Sequence, residues 1–301
     1  MLQLRTTGLL ALERLRSRGE FPQEWNGHGE LEAATDRFLE KFAEERFAVA
    51  GELGPGFVLL ELFERVVRCG DLEHMDDPAT DGARKAEMVR ALDRMNGLTM
   101  IYRLQVELLE PLITELSQQR GGTVRVLELA SGSGGLAFAL AEHAREKGIR
   151  LEVTASDIVP ESVSAGRLAA AGRGVAVGFE VVNAFELDGL GKGTFDLVLV
   201  SQSLHHFTPG QLALMIAGAE RLGAAAFVGI DGQRSPLMLL GVPAVASLQG
   251  IPEFTDDAFT SARKFYSDLE LDIIAEVATR RRAHRVDAIW PMSMLTVRME
   301  S

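Results

Sequence analysis

Two adjacent imidazoles, His205 and His206, stand in FDLVLVSQSLHHFTPGQL, directly after a short apolar run. Imidazole titrates near neutral pH, so either ring could take a proton from a hydroxyl or an amine. Neighbouring side chains diverge, so at most one of the two is expected to face a substrate. A second group lies upstream in VRVLELASGSGG, residues 124–135. There an acid, Glu128, sits inside an apolar run that ends in Ala130, Ser131, Gly132, Ser133 and Gly134. Small residues at the carboxyl end of a buried strand let a ligand approach the backbone closely. A third group is Asp157, which ends VTASDIV, and a fourth is Asn183 in EVVNAFEL.

Three ligand classes use a glycine-rich loop after a first strand. A phosphate-cradling loop needs Lys followed by Ser or Thr, and SGSGGLAF has neither. A dinucleotide fingerprint spaces its glycines G-x-G-x-x-G, and Gly132, Gly134 and Gly135 do not match it. What remains is an in-strand acid followed by small residues at every second position.

That segment resembles the first motif of class I S-adenosylmethionine-dependent methyltransferases, with Ala130 where the first glycine is usual. The resemblance covers residues 119–301 and implies a cofactor, S-adenosylmethionine. It implies that Glu128, Ala130, Ser131, Gly132 and Gly134 surround the methionine part. Asp157, with Ile158 beside it, would accept the ribose hydroxyls. Asn183, Ala184 and Phe185 would meet the adenine ring. Ser201, Gln202, Ser203, His205 and His206 fall where the acceptor should meet the methyl group. Tyr102 and Arg103, on the helix entering the first strand, could reach the cofactor carboxylate or the substrate. The helix amino end at Gly135 also offers donors to a carboxylate.

Two related chemistries lack their signatures. A metal-dependent catechol-type enzyme wants an additional Asp and an Asp-Asn pair near the fourth and fifth strands, whereas here Ser201-Gln202 and Asp231-Gly232-Gln233 stand there. The N-P-P-[YFW] signature for amino groups of nucleic acid or protein is missing too. The expectation is a metal-independent transfer to oxygen or nitrogen of a small organic acceptor. The same fold and cofactor could instead serve cyclisation or isomerisation, or a non-catalytic binding protein.

Bulk properties narrow the partners. The formal charge is −12 in 301 residues, which repels a phosphate backbone. The one dense basic run, Arg280 to Arg282 with Arg285, reads as a solvated turn or helix end. Nucleic acid is therefore not an expected partner. No apolar run reaches the ~18 residues a membrane helix requires, and no membrane partner is expected. A lone cysteine, Cys69, and an N-terminus without a signal-peptide pattern place the chain in the cytoplasm by expectation.

The elements that must position these groups differ along the chain. Residues 1–118 show helical spacing throughout, with Leu31, Ala34, Phe38, Phe42 and Phe47 as one stripe and a polar loop at 73–82. This predicts an all-helical N-terminal domain, serving as a lid or as the surface of a homodimer. From residue 119 strands alternate with helices, which predicts a doubly wound, mostly parallel seven-stranded α/β sheet, Rossmann-like in its winding. Thr208, Pro209 and Gln211 spell a capping box. Near the end, a helix is expected at 256–268, a strand at 271–277 and a last strand at 292–299. Those two strands would pair as an antiparallel edge hairpin. Asp231 closes the fifth strand, and Trp25, Trp290 and Met238 are candidates to line a cavity.

Overall fold

The computed structural model describes residues 2–22 and 24–299. Seven strands form one sheet in the order β3-β2-β1-β4-β5-β7-β6. β1 (Val124–Leu129), β2 (Leu151–Asp157), β3 (Val177–Val181), β4 (Leu197–Ser201) and β5 (Ala226–Gly232) are all parallel. β4 is buried at every position, as expected for a central strand covered on both faces. The crossovers are α6 (Gly135–Lys147), α7 (Pro160–Arg173) and α8 (Pro209–Arg221). α8 opens with the expected capping box: Thr208 accepts from Gln211 N while the Gln211 side chain reaches back.

The strand order steps outward from β1 on one side and from β4 on the other. Between them lies the switch point, where the carboxyl ends of the strands open a crevice. Register places Glu128, Asp157, Ser201 and Asp231 at that one edge of the sheet. Four of the groups singled out by residue type are thus neighbours in space.

The end of the chain departs from expectation. Residues 271–277 are not a strand but the middle of helix α11 (Asp268–Thr279). Ser267 caps it in a second capping box with Glu270, and its Leu271, Ile273, Ile274 and Val277 are all buried. A helix buried on every side shows no amphipathic period, so its β-branched residues imitate a strand. The antiparallel hairpin exists, but its strands are β6 (His284–Ile289) and β7 (Met292–Arg298), with β7 beside β5.

Five helices precede the sheet: α1 (Leu2–Ser17), α2 (His28–Leu53), α3 (Pro55–Val67), α4 (Gly82–Leu98) and α5 (Ile101–Arg120). Phe21, Leu31, Phe38 and Phe42 share one core with α8, α11 and β4, and α1 and α2 pack over α8 and α11, which cover one face of the sheet. Phe47 is only half-buried, beneath the Arg65 guanidinium. α5 packs with α6 and β1 on the other face. A third, smaller core joins α4 to α9 (Pro236–Ser247) and α10 (Pro252–Lys264) through Met88, Ala246 and Phe254. This last group stands over the crevice. No helix among the described residues is long and apolar enough to cross a membrane.

Candidate active site

At the glycine end, the chain leaves β1 through Ala130, whose φ of 50° lies in the left-handed region. A Cβ there costs roughly 1 kcal/mol, which is why glycine suits this position. Gly132 also has positive φ, and a Cβ built on it would meet nothing within 4 Å. The loop therefore presents open space at Gly132. Gly135 is the opposite case: a Cβ would come within 2.3 Å of the Tyr102 hydroxyl. The tyrosine ring lies on the first turn of α6 and needs a glycine beneath it.

Asp157 holds this loop. Its carboxylate accepts from Gly132 N at 3.0 Å and from Val159 N at 2.9 Å. Asn183 accepts from Phe185 N at 3.1 Å, a local turn that brings Ala184 and Phe185 against the core. Phe185 meets Phe207 edge to face. Ile158 is 61% exposed beside Asp157, as a residue flanking an open groove would be.

Three buried polar atoms here have no hydrogen-bond partner: Glu128 Oε2, Ser131 Oγ and Ser201 Oγ. Buried polar groups are nearly always paired, so three orphans around one loop signal a missing polar ligand. Burial pushes the Glu128 carboxyl up to about 8, offset only in part by the Ala137 backbone N–H. A carboxyl so poised would ionise against a ligand cation.

Tyr102 and Arg103 part company. Tyr102 donates to Asp93 Oδ1 at 3.0 Å and accepts from Asn96 Nδ2 at 3.2 Å. Ser133 of the glycine loop donates to the same Asp93 oxygen at 2.8 Å. Asp93 thus ties α4 and α5 to the loop, a role that its position in an ordinary helix did not advertise. Arg103 points to solvent and pairs with Glu107 at 2.9 Å, away from the loop. The expectation that it reaches cofactor or substrate finds no support in this geometry.

Beyond β4 and β5 lies a cavity of about 530 Å³. Leu92, Met95, Met238, Phe254 and Met292 form its apolar walls, and Trp290 belongs to its lining. Trp25 is elsewhere, its Nε1 bound to Val277 O at 2.9 Å. The polar end of the cavity carries Glu73, His205, His206 and Asp231. His205 is buried, and Asp231 Oδ2 receives both its backbone N at 2.9 Å and its Nδ1 at 2.8 Å. His206 Nδ1 meets Asp76 Oδ2 at 2.6 Å. The rings do not diverge as expected; they lie side by side with centroids 4.3 Å apart, in a short 3₁₀ turn.

Charge explains the titration of this cluster. Burial disfavours the His206 imidazolium, but its bond to Asp76 and the nearby Glu73 outweigh that and raise its pKa. Burial likewise opposes the Asp231 carboxylate, yet His205 and two backbone N–H groups hold its pKa low. The glycine loop and the histidine turn are joined directly, since Ser203 Oγ donates to Ala130 O at 3.2 Å.

Residues 126–232 match the model of a methyltransferase domain. They span β1 to β5, and so contain the glycine loop, Asp157, Asn183 and both histidines. That stretch is a methyltransferase domain, set within the sheet that the class I S-adenosylmethionine-dependent resemblance implies. Such a domain implies S-adenosylmethionine as cofactor, and the orphaned Glu128, Ser131 and Ser201 atoms beside open Gly132 fit such a ligand. No curated protein matches this methyltransferase. Among solved structures, it is similar to an O-methyltransferase of Nostoc punctiforme described as putative. That likeness has a TM-score of 0.53 and 16% identity, over 84% of this chain and 72% of that one. A protein of Pyrococcus horikoshii aligns at a TM-score of 0.44 and 21% identity, over 66% and 91%. The magnesium protoporphyrin IX methyltransferase of Synechocystis, solved with S-adenosylhomocysteine, aligns at 0.46 and 14%, over 70% and 94%.

Proposed function

We propose that this methyltransferase moves a methyl group to an oxygen or nitrogen atom of a small, largely apolar organic acceptor. The observation that carries the reading is the cavity of about 530 Å³ beside the carboxyl ends of β4 and β5. Its walls suit an apolar body, and its polar end suits one nucleophilic group. S-Adenosylmethionine supplies an electrophilic methyl carbon, and the protein's part is to align and to remove a proton.

In this reading Ala130, Ser131, Gly132 and Gly134 form the cradle for the methionine part, with Glu128 facing its positive charge. Asp157 and Ile158 take the ribose, and Asn183, Ala184 and Phe185 take the adenine. Ser201 lies between cofactor and acceptor. Tyr102 acts from behind the loop, by holding Gly135 and Asp93 in place. His205 and His206, backed by Asp231 and Asp76, receive the acceptor's nucleophile and its proton.

The exposed apolar face of α3, with Leu59, Leu62 and Val66, suits the dimer surface expected of the N-terminal helices. Light scattering tests this: a mass of one 32.7 kDa chain would sink it.

The function is tested in two stages. Calorimetry with S-adenosylhomocysteine, and NADH as comparison, should show binding of the first alone. A panel of phenols, aliphatic alcohols and amines is then incubated with methyl-labelled S-adenosylmethionine. One acceptor class should gain a single methyl by mass. Binding of NADH instead would overturn the reading.

A further inference from the structure

The Nε2 atoms of His205 and His206 both face the Glu73 carboxylate, 3.7 Å from Oε1 and 3.8 Å from Oε2 respectively. The three donor atoms lie within 4.8 Å of one another. Each imidazole has its Nδ1 on a carboxylate, Asp231 for one and Asp76 for the other. An Nδ1–H donated to a carboxylate leaves a lone pair on Nε2. When both rings are neutral, two such lone pairs then face a third, buried carboxylate.

Acceptors that face one another attract only if something positive stands between them. Glu73 is 1% exposed, so water cannot screen the arrangement. Lys264 Nζ reaches Glu73 Oε1 at 3.0 Å and Ser261 Oγ reaches Oε2 at 2.9 Å. These bonds orient the carboxylate from α10. Counting Asp76 and Asp231, three carboxylates confront one ammonium when both imidazoles are neutral.

We propose that Glu73, His205 and His206 bind a divalent transition-metal ion of the zinc class, with the open side of the ion toward the cavity. Two histidines and one glutamate form a set that zinc accepts while keeping a position open. Asp231 and Asp76 complete the pattern, in which a ligand histidine donates its other N–H to a carboxylate. The site is anchored from outside: Asp257 accepts from His74 N at 2.6 Å and from Met75 N at 3.0 Å. With Ser261 and Lys264, that gives α10 one face committed to holding the loop that carries Glu73. The site rests on these residues alone, and departs from the metal-independent transfer expected of the sequence. Under the proposed function it would receive an oxygen-bearing acceptor at the open position and lower that oxygen's pKa, so that the proton leaves to solvent and His205 and His206 hold the ion instead of taking that proton.

The test uses tag-free protein stripped with a chelator and titrated with Co²⁺, then Zn²⁺. One equivalent of Co²⁺ should produce visible absorption bands that Zn²⁺ abolishes. Glu73→Gln and His206→Gln should each weaken Co²⁺ binding at least ten-fold. Asp231→Asn, acting through His205, should weaken it ~10- to 100-fold. Melting curves and S-adenosylhomocysteine titration of every variant show that the fold and the glycine end survive. No Co²⁺ uptake by a protein that binds S-adenosylhomocysteine overturns the metal site and leaves the methyltransferase reading standing. Uptake that Glu73→Gln and His206→Gln leave unchanged also overturns it. Co²⁺ uptake without S-adenosylhomocysteine binding supports the site and removes the functional reading instead.

Discussion

Two buried glutamates mark the two ends of the active-site crevice, and they are kept in opposite ways. Glu128 lies in β1 with one oxygen unpartnered, and burial holds its carboxyl up to about 8. Glu73 lies in a loop with Lys264 and Ser261 on its two oxygens and two imidazoles before it. The first is a carboxyl left bare by the fold, whose partner must come from outside. The second is already embedded in a charged cluster and can only be adjusted by what enters. Under the proposed function the glycine end binds a cation-bearing ligand, and the histidine end handles protons or an ion. Variants at one end should leave the other end's measurement unmoved.

The largest expected separation comes from Gly132→Val. Space around Gly132 is open, so the new side chain costs the fold little beyond its positive φ, roughly 1–2 kcal/mol. It would fill the cradle, and S-adenosylhomocysteine affinity should fall by more than ~100-fold, about 2.7 kcal/mol. His206→Gln should leave that affinity within two-fold. Calorimetry on the pair decides it, and equal losses would mean that the two ends are one coupled site.

Next in size is Glu128→Gln, which should weaken S-adenosylhomocysteine ~10- to 100-fold by removing a charged partner. Stability should move the other way. The folded pKa, about 8, lies above the ordinary 4.5, so folding favours the protonated form. The wild type therefore loses stability as pH rises from 4.5 to 8, and the cost stays level above that. The neutral amide avoids it, worth on the order of 5 kcal/mol at pH 9. Melting curves should show the variant's advantage growing from pH 5 to pH 9. Binding should also release about one proton from the wild type at pH 7 and none from the variant, read from calorimetry in two buffers.

The two ends also differ in how far the chain alone revealed them. Glu128, the glycine loop, Asp157 and Asn183 each occupy the carboxyl end of a strand, so a local pattern of strand, loop and helix locates them. Their neighbourhood follows from the winding of a parallel sheet. The histidine pair was visible for the same reason. Glu73 was not: it sits in a loop read as polar, and its partners Asp257, Ser261 and Lys264 arrive from α10 by tertiary packing. No spacing in one segment encodes that meeting. Asp93 was hidden likewise, being one acid in a helix where acids are common. Arg103 shows the converse error, since proximity in sequence to the first strand says nothing about which face of α5 a side chain takes.

Asp93 ties the glycine loop to α4, and its loss should have a moderate effect. Asp93→Ala frees both Ser133 and Tyr102, so the loop loses its tie to α4. Two hydrogen bonds to a charged group should cost about 3–6 kcal/mol of stability at most. S-Adenosylhomocysteine affinity should drop ~3- to 10-fold through loosened positioning. A loss as large as that of Gly132→Val would mean that Asp93 touches the ligand itself.

The smallest effect belongs to Ala130→Gly, and it separates strain from contact. Ala130 holds a φ of 50° that glycine adopts freely. Relief of that strain is worth roughly 1 kcal/mol, but glycine also gains freedom in the unfolded chain, worth roughly 0.4–1 kcal/mol. The two nearly cancel, so denaturant unfolding should show a change within about 0.5 kcal/mol of zero. Affinity should stay within two-fold if the Ala130 methyl points away from the ligand. A ten-fold gain would show that the methyl crowds the cradle, and that this loop holds its ligand less tightly than its glycines allow.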